Sequence, residues 1–407
     1  MPWKAVNPME EKLRFVNLAA SGQFTITELS ADFGVSRKTA YKYLRRYAAH
    51  GVRGLDERSC RPHHCPQRTA AALEQRVVVA RKRHPTWGPK KLYDVMERAD
   101  PQTPPPARST IGAILQRQGL SQTRRRRPGV FQRRPSTLTE PTHPNLVWTV
   151  DFKGWFLLKN GERCDVLTVC DRFSRFLLYC QVRPNQQFKS TLRAFKALMR
   201  RHGKPQIIRV DNGAPFASLG LGGLSKLSVW WIRQGITVEF TRPGKPQDNG
   251  SHERMHRDLK AEVTQPPSAN RRAQQRRMDR WQYGYNHERP HEGNKMQRPA
   301  ELYHRSQRRL REHDNLVRYP ATHVVRQIST SGHLYHEGHN YYVGEAFADA
   351  KVGLFVNQAG RTELFYANVH LGNLHYDPAA RFRPPASIGP PDQKPLPKST
   401  PKTITKV

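Results

Sequence analysis

Acidic residues are scarce in this chain. Asp and Glu number 33 against 69 Lys plus Arg, a formal charge of +36 over 407 residues, and the excess runs along the whole length rather than collecting in a tail. Such a chain repels itself unless a polyanion neutralises it, which makes nucleic acid the expected partner. Long apolar runs are missing too: no stretch of about 18 residues could span a bilayer. The opening "MPWKAVNPMEEKLRF" lacks the apolar centre of a signal peptide. Membrane insertion and secretion are therefore not expected, and the cytosol is the expected place. The five cysteines (Cys60, Cys65, Cys164, Cys170, Cys180) are odd in number, and three fall in apolar, strand-like runs where cysteine acts as a small hydrophobe. A disulfide framework is excluded on that ground. No internal repeat is evident.

The length allows several compact units, each with its own core. From Phe24 to Leu55, "FTITELSADFGVSRKTAYKYLRRYAAHGVRGL" spaces Ile26, Leu29, Phe33, Val35, Ala40, Tyr43, Leu44 and Tyr47 as two short helices would, with a turn at Gly34. Ser36 then caps a second helix displaying Arg37, Lys38, Lys42, Arg45 and Arg46. This is the pattern of a helix-turn-helix, whose second helix enters the major groove. A DNA-binding unit is expected over 1–58. "LEQRVVVARKRHPTWGPKKLYDVMERAD" and "ARSTIGAILQRQGL" predict three more helices, broken at Pro85 to Gly88 and with Ser109 capping the last. They suggest a second winged-helix or helix-turn-helix module over 68–122. Arg124, Arg125, Arg126 and Arg127 open a proline-rich linker over 123–144 that would lie along phosphates.

From Val147 the texture changes. Three β-rich runs, "LVWTVDFKGWFLL", "CDVLTVCDRF" and "SRFLLYCQV", precede the helix-periodic "QQFKSTLRAFKALMRRHG" and the short run "QIIRV", which together predict a mixed α/β core over 145–305. Beyond it, alternating residues between glycine-bearing turns fit a small β-barrel over 320–377. The Pro/Lys-rich tail 378–407 reads as disorder.

Within the core Asp151 sits inside the first strand run, Asp211 ends the fourth at "RVDNGAPF", and Glu253 follows "QDNG" on a helix. Carboxylates on a first strand, at the end of its neighbour and on a helix packed beside them can converge, and converging carboxylates repel unless cations lie between them. Two Mg²⁺ ions, with Mn²⁺ as substitute, suit such a set. Hard oxygen ligands leave positions open for phosphate, and a metal pair assists phosphodiester hydrolysis and transfer.

The sequence here resembles a known family. "WTVDFKG", "RVDNGAPF" and "QDNGSHERMHRDLK" are similar to the three motifs of DDE transposases and integrases with a retroviral-integrase-like core, and residues 24–377, "HPTWG" included, resemble bacterial insertion-sequence transposases of the IS481 and IS3 kind. The resemblance implies an RNase H-like core, with Asp151, Asp211 and Glu253 as metal-binding catalytic triad. It also implies that Lys260, seven residues after Glu253, contacts DNA near the scissile phosphate, with Arg257 on the same helix face. The implied function is binding of an element's terminal inverted repeats, cleavage, and 3'-OH strand transfer into target DNA by at least a dimer. Nothing in the sequence speaks for or against an ATPase helper. The interval between Asp211 and Glu253 is longer than usual in the family; "ASLGLGGLSK", read as a surface loop, would absorb the difference.

Competing readings are a structure-specific RNase H-like nuclease and a DNA-binding regulator with an inactive core. Asp165 and Asp171 lie on or beside core strands, Asp171 before "RFSR" reading as a turn former, and Asp248 reads as a helix cap. "CRPHHC" at 60–65 is packed more tightly than usual zinc ligands, and His252 and His256 read as a solvated helix face.

Overall fold

The computed structural model describes residues 7–57, 68–121, 138–242, 249–311, 317–376 and 386–389. The chain divides into two compact units, Met1–Thr69 and Ala70–Val407. The expectations for Arg124 to Arg127, for "CRPHHC", for Asp248 and for the tail at 378–385 and 390–407 fall outside the described residues; within that tail 386–389 form a strand where disorder was expected.

The first unit holds α1 (Pro8–Ala20), α2 (Ile26–Asp32) and α3 (Arg37–His50). Thr25 and Glu28 form a reciprocal capping box at the start of α2. Gly34 takes φ +65° in the turn, a conformation a side chain resists. Ser36 then accepts the Thr39 N–H and starts α3. Phe15, Val16, Leu29, Ala40 and Leu55 form the core.

The second unit opens with α4 (Ala71–Arg83), α5 (Pro89–Ala99) and α6 (Arg108–Arg117), packed around Val77, Trp87, Leu92, Met96, Ile111 and Ile114. No strand accompanies them among the described residues, so the wing of the winged-helix alternative is absent there. Ser109 does not cap α6: the helix starts at Arg108 with Ala107 at the cap position. The prolines before Ala107 hold the backbone extended, and the helix begins once that restraint ends.

Next come β1 (Val147–Leu157), β2 (Arg163–Asp171), β3 (Leu177–Arg183), α7 (Phe188–His202), β4 (Ile207–Val210), α8 (Lys226–Arg233), β5 (Thr237–Phe240), α9 (Gly250–Leu259) and α10 (Arg271–His287). The sheet order is β3-β2-β1-β4-β5. The first three strands are antiparallel, while β1, β4 and β5 run parallel. This is the mixed sheet of an RNase H-like core. Alternation assigns the faces: Trp148, Val150, Leu167, Val169, Ile208 and Val210 pack under α7 and α8 with Phe195 and Trp231. Cys164, Val166, Cys170 and Cys180 pack under α9 and α10 with Met255, Leu259 and Met278.

In β1 a bulge interrupts the alternation. Phe152 pairs with Leu167 and Trp155 with Asp165, so Lys153 and Gly154 both face Val166; Gly154 takes φ +85° to allow it. Thr149 and Asp151, before the bulge, and Phe156 and Leu158, after it, consequently all address the α9 side.

The stretch around Gly220 is only partly the surface loop expected: Leu219 is exposed, but Leu224 is buried and packs with the carboxy-terminal sheet. The carboxy-terminal strands are β6 (Val324–Gln327), β7 (His333–His336), β8 (His339–Tyr342), β9 (Lys351–Val356), β10 (Thr362–Tyr366), β11 (Val369–Tyr376) and β12 (Ala386–Gly389). Their pairing corrects the expected barrel. The order is β12-β11-β10-β9-β6, open at both edges, with β7-β8 a separate hairpin. Closure needs edges that meet at matched tilt and stagger, and strands of four residues at β6, β7, β8 and β12 are too short to carry pairing round. Among the described residues no helix is long and apolar enough to cross a membrane.

Candidate active site and DNA-binding surfaces

The parallel register of β1 on β4 sets Thr149 beside Arg209. Asp151 lies two residues beyond that pair in β1, and Asp211 directly follows the last residue of β4, Val210. Glu253 lies on α9, exposed to solvent, while Met255 and Leu259 of the same helix are buried. The Asp151 carboxyl is pushed up to about 7, first by burial, then by the charge of Asp211, with Glu253 adding to it. The three acids thus share one electrostatic field.

Beneath Glu253 lies a polar hub. His252 Nδ1 is 2.9 Å from Thr149 Oγ1, and its Nε2 is 2.7 Å from Thr168 Oγ1. His256 Nε2 meets the same Thr168 oxygen at 2.7 Å, and Thr168 donates to the Asp151 carbonyl at 3.0 Å. One threonine hydroxyl therefore ties α9 to the strand that carries Asp151. Since that hydroxyl gives its only proton to the carbonyl, both Nε2 atoms must donate to it. Burial, with the neighbouring Lys153 charge, holds the His256 imidazole down to about 3. His252 is lowered for the same first reason, so both rings are neutral. His256 Nδ1 faces Asp151 Oδ2 at 3.6 Å.

The solvated-face reading of these histidines is thus overturned: His252 is 1% exposed. A signal for this existed in the sequence. His252, Met255, His256 and Leu259 recur at the spacing of one helix stripe, but polar residues on that stripe concealed it. Asp171 is the turn former expected, accepting the N–H groups of Asn145 and Ser174, and Asp165 is held by Arg163.

Lys260 is exposed at the end of α9. Its charge lowers the Lys153 ammonium, second to burial, so two cations flank the Asp151 side of the sheet. Arg257 is exposed, with Asp258 3.8 Å away. On α3, Arg37, Lys38 and Arg45 are exposed, while Lys42 and Arg46 are half-buried over the ring of Tyr43.

Comparison with known proteins agrees with this layout. Models of the integrase core domain match residues 141–246 and 234–299; a homeodomain-like domain matches 39–115 and a helix-turn-helix domain 11–63. The 31.7 kDa protein of insertion element IS407 from Burkholderia multivorans is 28% identical over 239 residues, 58% of this chain and 82% of that protein. Among solved structures, the HTLV-2 integrase catalytic core in complex with magnesium is similar at TM-score 0.32 and 17% identity, covering 40% of this chain and all (100%) of that one. A chain of the simian T-cell lymphotropic virus intasome in complex with PP2A regulatory subunit B56 gamma is similar at TM-score 0.36 and 14% identity, covering 72% of this chain and 97% of that one. The chain is an integrase-core enzyme with helix-turn-helix DNA-binding domains. These matches support a DDE-type transposase or integrase of the IS3 and IS481 kind.

Proposed function

We propose that this transposase binds the terminal inverted repeats of its element through the amino-terminal helices and joins the cut 3'-OH ends to target DNA at the site of Asp151, Asp211 and Glu253. The observation that carries the reading is the raised Asp151 carboxyl, crowded by two further acids in a chain otherwise short of them. The donor set fits a hard divalent cation, because oxygen-only ligands of like charge are relieved by Mg²⁺ or Mn²⁺ between them. Two such ions would supply an activated attacking oxygen and stabilisation of the leaving oxygen.

The chain's own residues do the rest. Asp151, held by the Thr168 bond to its own carbonyl, and Asp211, directly after β4, present two carboxylates. Glu253 adds a third from a helix locked to β1 and β2. Lys260 and Lys153 hold the scissile strand's phosphates beside them, and Arg257 extends that track. Arg37, Lys38 and Arg45 address the groove and backbone of the element end, with the basic linker running on along phosphates. Two ends cut in concert require at least a dimer on DNA.

The test is nicking of a supercoiled plasmid in Mg²⁺ or Mn²⁺, followed by attachment of a pre-cut end to a second duplex. Wild-type joining with loss in Asp151→Asn, Asp211→Asn or Glu253→Gln supports the reading. Joining at wild-type rate by any of the three removes that residue from the site, and nicking without joining makes the protein a nuclease.

A further inference from the structure

Past its last regular turn, α9 runs into a π-helical turn, Lys260–Thr264, a local widening often found at functional sites. Two acids on this stretch, Asp258 and Glu262, meet one enclosed cation. Arg289, its side chain 5% exposed, donates to Asp258 Oδ2 at 2.6 Å and to Glu262 Oε1 at 3.1 Å. Glu262 is engaged from two further sides: Trp281 Nε1 of α10 donates at 2.6 Å, and the Thr86 hydroxyl donates as well. Thr86 belongs to His84-Pro85-Thr86-Trp87, the segment joining α4 to α5. Trp87 is buried, stacks on His84 at 3.8 Å, and lies 6.0 Å from the Arg289 guanidinium. From α5, Lys90 pairs with Glu292 at 3.4 Å.

These contacts do what the hydrophobic face of α9 does not. Met255 and Leu259 fix the height of the helix above the sheet, but apolar contacts are non-directional; the His252 and His256 bonds restrain rotation about the helix axis at the amino-terminal part of α9, and its carboxy-terminal end needs a directional restraint of its own. A carboxylate about 6 Å from that axis moves roughly 2 Å for a 20° rotation. The forked Arg289 pairing at the end of the helix resists such rotation. The His84–Trp87 loop makes the pairing depend on the α4–α6 helices being seated.

We propose that Arg289 is a positioning residue for Glu253 and that the His84–Trp87 loop is the other half of the latch, so that docking of the α4–α6 unit sets the geometry of the helix carrying Glu253. The proposal rests on the reading that Glu253 holds metal. A DNA end that pulls on the α4–α6 unit would thereby act on the chemistry without touching it.

The test uses the full chain and Mn²⁺ alone, with the free ion followed by electron paramagnetic resonance, beside plasmid nicking as a function of Mn²⁺. Arg289→Lys keeps the charge and loses the fork; Thr86→Val removes one hydroxyl from an exposed residue and leaves folding intact. Mn²⁺ affinity should fall about tenfold in Arg289→Lys and about threefold in Thr86→Val. In both, half-saturation for nicking should rise while the rate at saturating Mn²⁺ returns toward wild type, a split that general loss of stability does not produce. Unchanged Mn²⁺ affinity in Thr86→Val and in folded Arg289→Lys, with binding lost in Asp151→Asn, overturns the latch alone. Wild-type Mn²⁺ binding by Asp151→Asn overturns the metal reading and the latch with it.

Discussion

The two faces of the central sheet are built from the same strands and differ in what they hold. Under α7 and α8 alternate residues give an aromatic and aliphatic core, where Trp231 meets Phe195 edge-on at 5.0 Å and stacks on Phe216 at 6.1 Å. Under α9 the intervening residues give a smaller core in which Cys164, Cys170, Cys180, Met255 and Met278 accompany leucines and valines, interrupted by the Thr149, Thr168, His252 and His256 hub. One face supplies stability. The other spends part of its apolar area on polar groups that must all be paired, which suits a site needing fixed direction more than adhesive strength.

Four changes would sharpen or break that contrast. The largest effect should come from Asp151→Asn, with nicking lost by at least about 10³-fold. Melting in EDTA should stay at or above wild type, because one of three crowded charges is gone; a marked fall in melting temperature would place Asp151 on the stabilising side of the contrast. Second, Trp231→Ala should cost about 3–5 kcal/mol in chemical denaturation, with nicking per folded molecule retained. Third, Thr168→Val strands both imidazole Nε2 donors and should cost about 1–3 kcal/mol; a neutral result would mean that the hub is loosely made.

The smallest effect is a pH dependence on the α7 side. His202 is buried, with Tyr303 Oη 3.3 Å from its Nδ1, and burial, reinforced by Arg201 and Arg305, lowers its imidazole to about 4. A lowered value means that the fold favours the neutral ring. That stability is complete above the ordinary value near 6.5 and is lost as pH falls from there toward 4. The slope should be at most about 1.4 kcal/mol per pH unit, and His202→Gln should flatten part of it when denaturation midpoints are compared across that window.

Much of the layout was legible because it rests on local signals. Ser36 as cap, the turn at Gly34 and the strand runs that hold Asp151 and precede Asp211 are written in few residues each. The hub was not legible, since it joins Thr149 and Thr168 on two strands to a helix far along the chain, and threonine within a strand reads as ordinary β propensity. Arg289 was hidden for a related reason. In a chain with 69 basic residues nothing local separates a buried arginine from a solvated one; only the acids at Asp258 and Glu262 do. The carboxy-terminal strands were visible, but whether a sheet closes depends on strand lengths and stagger that alternation does not encode.

The bulge at Lys153 and Gly154 works as a change of reading frame in space. Upstream of it odd-numbered residues of β1 look toward α9; downstream, even-numbered ones do. Deleting Gly154 should therefore act less like the loss of one small residue than like a frameshift, turning Phe156 and Leu158 out of their core while leaving Asp151 in place. Chimeras that exchange this strand between related transposases would have to carry both sides of the bulge from one parent.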